Sequence, residues 1–176
     1  MKNLILLFWA ITSFLTLSGQ TNFQWEKTDS VSKTKSQIYS DTKLFIAKTW
    51  KSSNNVIQLD DKETGTILIK AVNIQDVSFS MQIMSYTYNY TLTFKMKDNK
   101  YKITLDEVNC SDAYTRSGYI VQIQPFDGEI APKTTPGINK KKAIEMMVSL
   151  KRELQYIVDS YETYIKKPSP LDKDGW

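Results

Sequence analysis

The sequence holds no histidine and a single cysteine, Cys110, in 176 residues. Without histidine there is no Ser-His-Asp or Cys-His relay and no imidazole metal ligand. With one cysteine there is no internal disulfide, no C-x-x-C redox pair and no thiolate zinc cage. Carboxylate chemistry stays open, because Asp and Glu alone serve some hydrolases and hold hard cations. Charge of one sign is not in excess either: 23 Lys+Arg against 19 Asp+Glu gives +4. Nucleic-acid binding needs a concentrated basic patch, so no nucleic-acid partner is expected. The hydrophobic share of 41% is slightly low, as in exported or surface-rich domains. The length suits one domain.

What is present starts with an apolar leader. Met1-Lys2-Asn3 is a short basic start, and Leu4 to Leu17 is an uncharged run of fourteen. A membrane-spanning helix needs about 20 residues, so the run reads as a secretory signal covering residues 1–19. Thr16-Leu17-Ser18-Gly19 offers small residues for cleavage after Ser18 or Gly19. The expected localisation is periplasmic or secreted. A lone thiol in an exported chain has no internal partner, and burial is its commoner state.

Residues 20–109 read as one α+β domain. Phe23 to Val31 alternates and is read as a strand. Thr34-x-x-Gln37 is a capping box, so a helix starts near Lys35. Ile38, Tyr39, Phe45, Ile46 and Trp50 form its apolar stripe, and Ser52 to Asn55 ends it. Val56 to Leu59 and Thr66 to Val72 are read as a hairpin around Asp60–Gly65, with a loop over Asn73 to Ser80. Tyr86, Tyr88, Tyr90, Leu92, Phe94 and Met96 then alternate with polar residues, the longest strand pattern in the chain. A two-residue Asp98-Asn99 turn sets Met96 opposite Tyr101, Phe94 opposite Ile103 and Leu92 opposite Leu105. The same register opposes Lys95 to Lys102 and Lys97 to Lys100, which predicts an exposed tip.

Residues 110–139 read as an irregular segment, with an edge strand over Tyr119 to Ile123 stopped by Pro125. Residues 140–167 form a helix whose stripe is Ala143, Met147, Leu150, Leu154, Ile157, Val158, Tyr161 and Ile165. Burying those eight side chains contributes on the order of 10 kcal/mol before entropy. The helix must therefore pack on the sheet. Residues 168–176 are a polar tail. The order of elements gives a two-layer α+β sandwich: an antiparallel curved sheet with helices on one face.

The runs SKTKSQIYSDTKLFIAKTW, VIQLDDKETGTILIKA and YTYNYTLTFKMKDNKYKITLDEV, between Gln24 and about Val108, resemble the bacterial domain-of-unknown-function family 4468. That resemblance implies a TATA-binding-protein-like fold and an exported bacterial protein. It implies no activity.

The candidate surfaces are two. Lys95, Lys97, Lys100 and Lys102 could hold an anion, an acidic glycan or an anionic surface, or simply solvate a hairpin tip. Tyr86, Tyr88 and Tyr90 could line a pocket under the last helix, or form its packed core. Asp60, Asp61 and Glu63 share one turn, where Ca²⁺ binding or acid/base work competes with plain turn chemistry. No catalytic residue, cofactor or metal site is assigned. The expectation is a non-catalytic binding or envelope-interaction module, with an envelope protein, glycan or anionic surface as partner. The alternatives are a small-ligand carrier with a pocket between the tyrosine strand and the C-terminal helix, and a carboxylate-based hydrolase.

Overall fold

The computed structural model describes residues 24–50, 53–79, 82–115, 120–121 and 140–170. The leader, most of the segment before the last helix, and the residues after Pro170 lie outside that set.

Among the described residues nine elements follow in the order β1 (Trp25–Ser30), α1 (Lys35–Thr49), α2 (Ser53–Val56), β2 (Ile57–Asp61), β3 (Thr66–Phe79), β4 (Gln82–Lys97), β5 (Lys100–Thr115), β6 (Ile120–Val121) and α3 (Lys140–Ile165). The strands form one antiparallel sheet ordered β1-β5-β4-β3-β2, with β6 on the far end of β5. Both long helices lie on one face, which makes the two-layer α+β sandwich the periodicity predicts.

Local chemistry explains the element ends. Thr34 and Gln37 form the capping box: the threonine hydroxyl accepts from Gln37 N and the Gln37 amide oxygen accepts from Thr34 N. The β4–β5 register places Met96 opposite Tyr101, Phe94 opposite Ile103 and Leu92 opposite Leu105. Further up, the β4–β5 ladder slips between Thr87 and Tyr88 and again between Asn89 and Thr91. Glu107, at the second slip, has φ 52. Such bulges bend a sheet, and the inward face curves around the helices.

The core gathers the inward residues of β3, β4 and β5 under α1 and α3. Tyr161 is its centre. Its ring lies 4.9 Å from Phe94, 5.2 Å from Phe45 and 5.3 Å from Tyr101. Met146, Leu150, Leu154, Val158, Tyr161 and Ile165 are the buried stripe of α3. Met147 and Ile157 sit at its margin, only partly buried, and the Ala143 side chain lies outside the described residues. Cys110 is buried.

Four expectations need correction. Asn73 to Phe79 is not a loop; it is the second half of β3. The reason is an inverted pattern: Gln75 faces inward and is buried, while Val72 and Ile74 face outward and are exposed. The inward amides have partners on α3. Asn73 Nδ2 donates to Glu153 Oε2 at 2.8 Å, and the Gln75 amide faces the Met146–Leu150 turn. Val56 closes a one-turn helix rather than opening a strand, because β2 begins at Ile57. Ser111 to Thr115 continues β5 instead of beginning an irregular segment. Ser169, read as the start of a solvated tail, is buried.

Candidate functional site

One end of the sheet collects the β4–β5 turn, the loop between β1 and α1, and the last residues of α3. The turn is Asp98-Asn99, with Asn99 in the left-handed region at φ 58, where asparagine is well tolerated. Asp98 Oδ1 accepts from Lys35 N at 2.7 Å, placing a carboxylate at the positive end of α1. Asn99 N donates to Lys33 O and Asn99 O accepts from Val31 N. The β2–β3 turn is fastened to the same end. Met96 N donates to Gly65 O at 2.8 Å, and a Cβ on Gly65 would meet Met96 O at 2.7 Å. Gly65 also has φ +68, so the position favours glycine twice over.

The tip is therefore held on three sides while its lysine side chains stay out. Lys95, Lys97 and Lys100 are exposed, and none has an ionic partner among the described residues. Lys102 differs. It is only half-exposed and pairs with Glu26 on β1 at 2.6 Å.

Beside the tip opens a cleft of about 550 Å³, lined by Ser30, Val31, Ser32, Lys33, Asn99, Lys166, Lys167 and Pro168. Three of those residues are cations and none is an acid. Lys33 forms its inner wall. The ammonium donates to Asp41 Oδ2 at 2.7 Å and to Lys167 O at 2.6 Å. Asp41 is fully buried and also accepts from Ser169 Oγ at 2.6 Å. This group ties the segment after α3 to α1. Lys166 pairs with Asp29 at 2.7 Å. The hydrogen bond between them raises the Lys166 pKa and lowers that of Asp29, so both stay charged. Lys27 on β1 likewise bonds Glu162 on α3.

The other candidates are used structurally. Tyr86, Tyr88 and Tyr90 are 0%, 1% and 3% exposed. Burial raises the pKa of Tyr88 and Tyr90, and Tyr90 is bonded to Trp50. They do not line the basic cleft, nor a second one of about 420 Å³ bordered by Gln75, Val77, Glu145, Met146, Ser149 and Glu153. In the acidic turn, Asp61 accepts from Glu63 N, Thr64 N and Thr64 Oγ1. Asp60 bonds the Tyr39 hydroxyl and Lys43. Burial pushes the Asp60 pKa up, but the Lys43 ammonium and the Tyr39 hydroxyl outweigh it and leave it below the ordinary value. Among the described residues no three acids or thiols are grouped to hold a metal.

Lys33, Asp41, Thr42 and Ser169 escape a reading from sequence. For Asp41 and Thr42 a signal existed: they fall between Ile38 and Phe45 at i+3 and i+4, inside the buried stripe of α1. Ser169 carries no local signal, because its bond to Asp41 joins residues 128 apart, and Lys33 reaches both Asp41, eight residues on, and Lys167, 134 residues on.

The curved antiparallel sheet under two helices is the α+β architecture of TATA-binding-protein-like folds. Residues 25–111 match the domain of unknown function DUF4468 with TBP-like fold. A crystal structure of a DUF4468 family protein from Bacteroides ovatus ATCC 8483 is 16% identical, with 85% of this chain and 90% of that one covered and a TM-score of 0.56. A crystal structure of a TBP-like protein from Parabacteroides distasonis ATCC 8503 is 10% identical, with 84% and 94% covered and a TM-score of 0.62. The shared fold therefore reaches past Ser111 and past the family match. No curated protein matches the sequence.

Proposed function

We propose that this is an exported, non-catalytic binding module that holds an anionic partner, an acidic glycan first, at the basic end of its sheet. The observation that carries the reading is the cleft of about 550 Å³ walled by Lys33, Lys166 and Lys167, at the same end of the sheet as the exposed Lys95, Lys97 and Lys100. A concave surface lined by one sign of charge concentrates counter-ions. At this end of the sheet Lys33, Lys166 and Lys102 are occupied by Asp41, Asp29 and Glu26, so Lys167 in the cleft wall and Lys95, Lys97 and Lys100 at the tip, without an ionic partner among the described residues, are the groups that meet a ligand. Ser30, Ser32 and Asn99 supply neutral hydrogen-bonding groups within the cleft. Export rests on the basic start and the fourteen-residue apolar run. Fold alone assigns no role.

Titration calorimetry with an oligogalacturonate, a carboxylated glycan, tests the reading. Binding is expected, weakening as salt screens it. The Lys95→Glu/Lys97→Glu/Lys100→Glu variant should lose about tenfold or more in affinity, equivalent to about 1.4 kcal/mol. Binding that ignores those substitutions would remove the tip from the function. Sequencing the N-terminus of protein recovered from the periplasm should begin at Gly19 or Gln20; an intact Met1 there would remove the signal peptide.

A further inference from the structure

β3 is longer than the strand that covers it. β2 pairs only with Thr66 to Ile69. From Lys70 to Phe79 the side of β3 away from β4 carries no strand among the described residues. That is ten residues, about 33 Å, of open backbone edge. Two of the devices that normally blunt an edge, proline and bulges, are missing along it, and its charges, Lys70 and Asp76, are of opposite sign. There is no proline in Lys70–Phe79 and no slip in the β3–β4 register. Two large apolar side chains stand on its outward face, Val72 at 53% exposure and Ile74 at 57%. An open, flat, apolar edge is a template for another strand.

The sequence of the edge decides which strand fits. Outward residues are Lys70, Val72, Ile74 and Asp76; inward ones are Ala71, Asn73, Gln75 and Val77. A second copy laid antiparallel about a twofold axis through Asn73 sets Lys70 against Asp76 and Val72 against Ile74, each twice. Every outward pair is then matched, charge to opposite charge and apolar to apolar. Moving the axis to Val72 puts Lys70 against Ile74 and Leu68 against Asp76. Moving it to Ile74 puts Val72 against Asp76. Axes between residues would oppose inward to outward side chains. One register of this segment with itself is therefore favoured. The present partners of the charges do not compete strongly. Lys70 reaches Glu107 at 3.7 Å with both side chains 62% exposed, and Asp76 accepts from Ser85 through one of its two oxygens.

We propose that the protein forms a twofold homodimer by joining the β3 edges over Lys70 to Asp76 into one sheet that is continuous through both copies. The interface is isologous, so it closes at two copies instead of growing into a fibre. It also turns the β3 edge from an aggregation hazard into a buried ladder.

Sedimentation velocity over a range of concentrations, on the chain as the producing cell delivers it, tests the dimer. Wild-type protein should dimerise. Val72→Lys/Ile74→Lys should be monomeric and still unfold in one cooperative transition, because both residues are exposed in one copy. Lys70→Asp should raise the dimer dissociation constant about tenfold. Adding Asp76→Lys to it should restore the wild-type value, because the swap exchanges the two partners. A wild-type chain that stays monomeric, a dimer that survives Val72→Lys/Ile74→Lys, or a charge swap that restores nothing would each overturn the proposal.

Discussion

Asp41 has a role out of proportion to its size. It is fully buried on α1, and its two oxygens receive the Lys33 ammonium and the Ser169 hydroxyl. Removing one member of a buried pair leaves the other charge without compensation, which costs about 3–5 kcal/mol. Asp41→Ala should sit near the lower bound, because Lys33 lines the cleft and can turn its ammonium toward water. The urea midpoint of Asp41→Ala is expected to fall accordingly; a midpoint within about 0.5 kcal/mol of wild type would mean the pair contributes nothing net. Thr42 is a quieter neighbour. Its one proton goes to Ile38 O, so the Tyr161 hydroxyl must donate to it, at 2.9 Å. Two polar residues inside an apolar stripe thus orient α3 against α1.

At the scale of elements, α3 divides cleanly into a buried and a solvated side. Leu154 is 1% exposed and Val148 is 61% exposed. Leu154→Ala should cost about 2–5 kcal/mol by leaving a cavity beneath the helix, whereas Val148→Ala should stay within about 0.5 kcal/mol. Denaturant titration of the two variants compares them directly. The elements also differ in how far the sequence discloses them. The capping box marked the start of α1, and the two-residue Asp98-Asn99 turn set three cross-strand pairs of the β4–β5 hairpin. Both signals are local, with each residue answered by one a few positions away or across a two-residue turn. The upper half of β3 was hidden because its inward residues Asn73 and Gln75 are polar, and the partners of the Asn73 Nδ2 group and the Gln75 amide lie on α3, far along the chain. The four tip lysines were legible as a cluster, but the cleft beside them was not. Its walls are Lys33, Lys166 and Lys167, which come together only when α3 returns to the start of α1.

At the scale of the whole molecule, the absence of histidine and disulfides leaves tyrosine as a main titrating element of the core. Burial, followed by the Asp60 hydrogen bond, pushes Tyr39 up to about 12. Burial also raises Tyr88, Tyr101 and Tyr161. The sign follows directly. In the unfolded chain a tyrosine ionises near pH 10, while the fold keeps it neutral. The stability these groups contribute is therefore complete below pH 10 and is lost as the pH rises through 12. Alkaline unfolding, followed by tyrosinate absorbance, should fall in that window and become shallower in Tyr39→Phe. A chain that unfolds well below pH 10 would contradict it.

The route of the chain has one more consequence, for the order of folding. β3, β4 and β5 follow one another as a meander, so their pairings close short loops. The contact between Lys27 on β1 and Glu162 on α3 joins residues 135 apart, and closing so long a loop is entropically costly until much else is in place. The meander can thus form while its inward face, Tyr86 to Phe94 and Tyr101, still waits for α3. A chain synthesised from its N-terminus leaves that face uncovered until its last helix emerges.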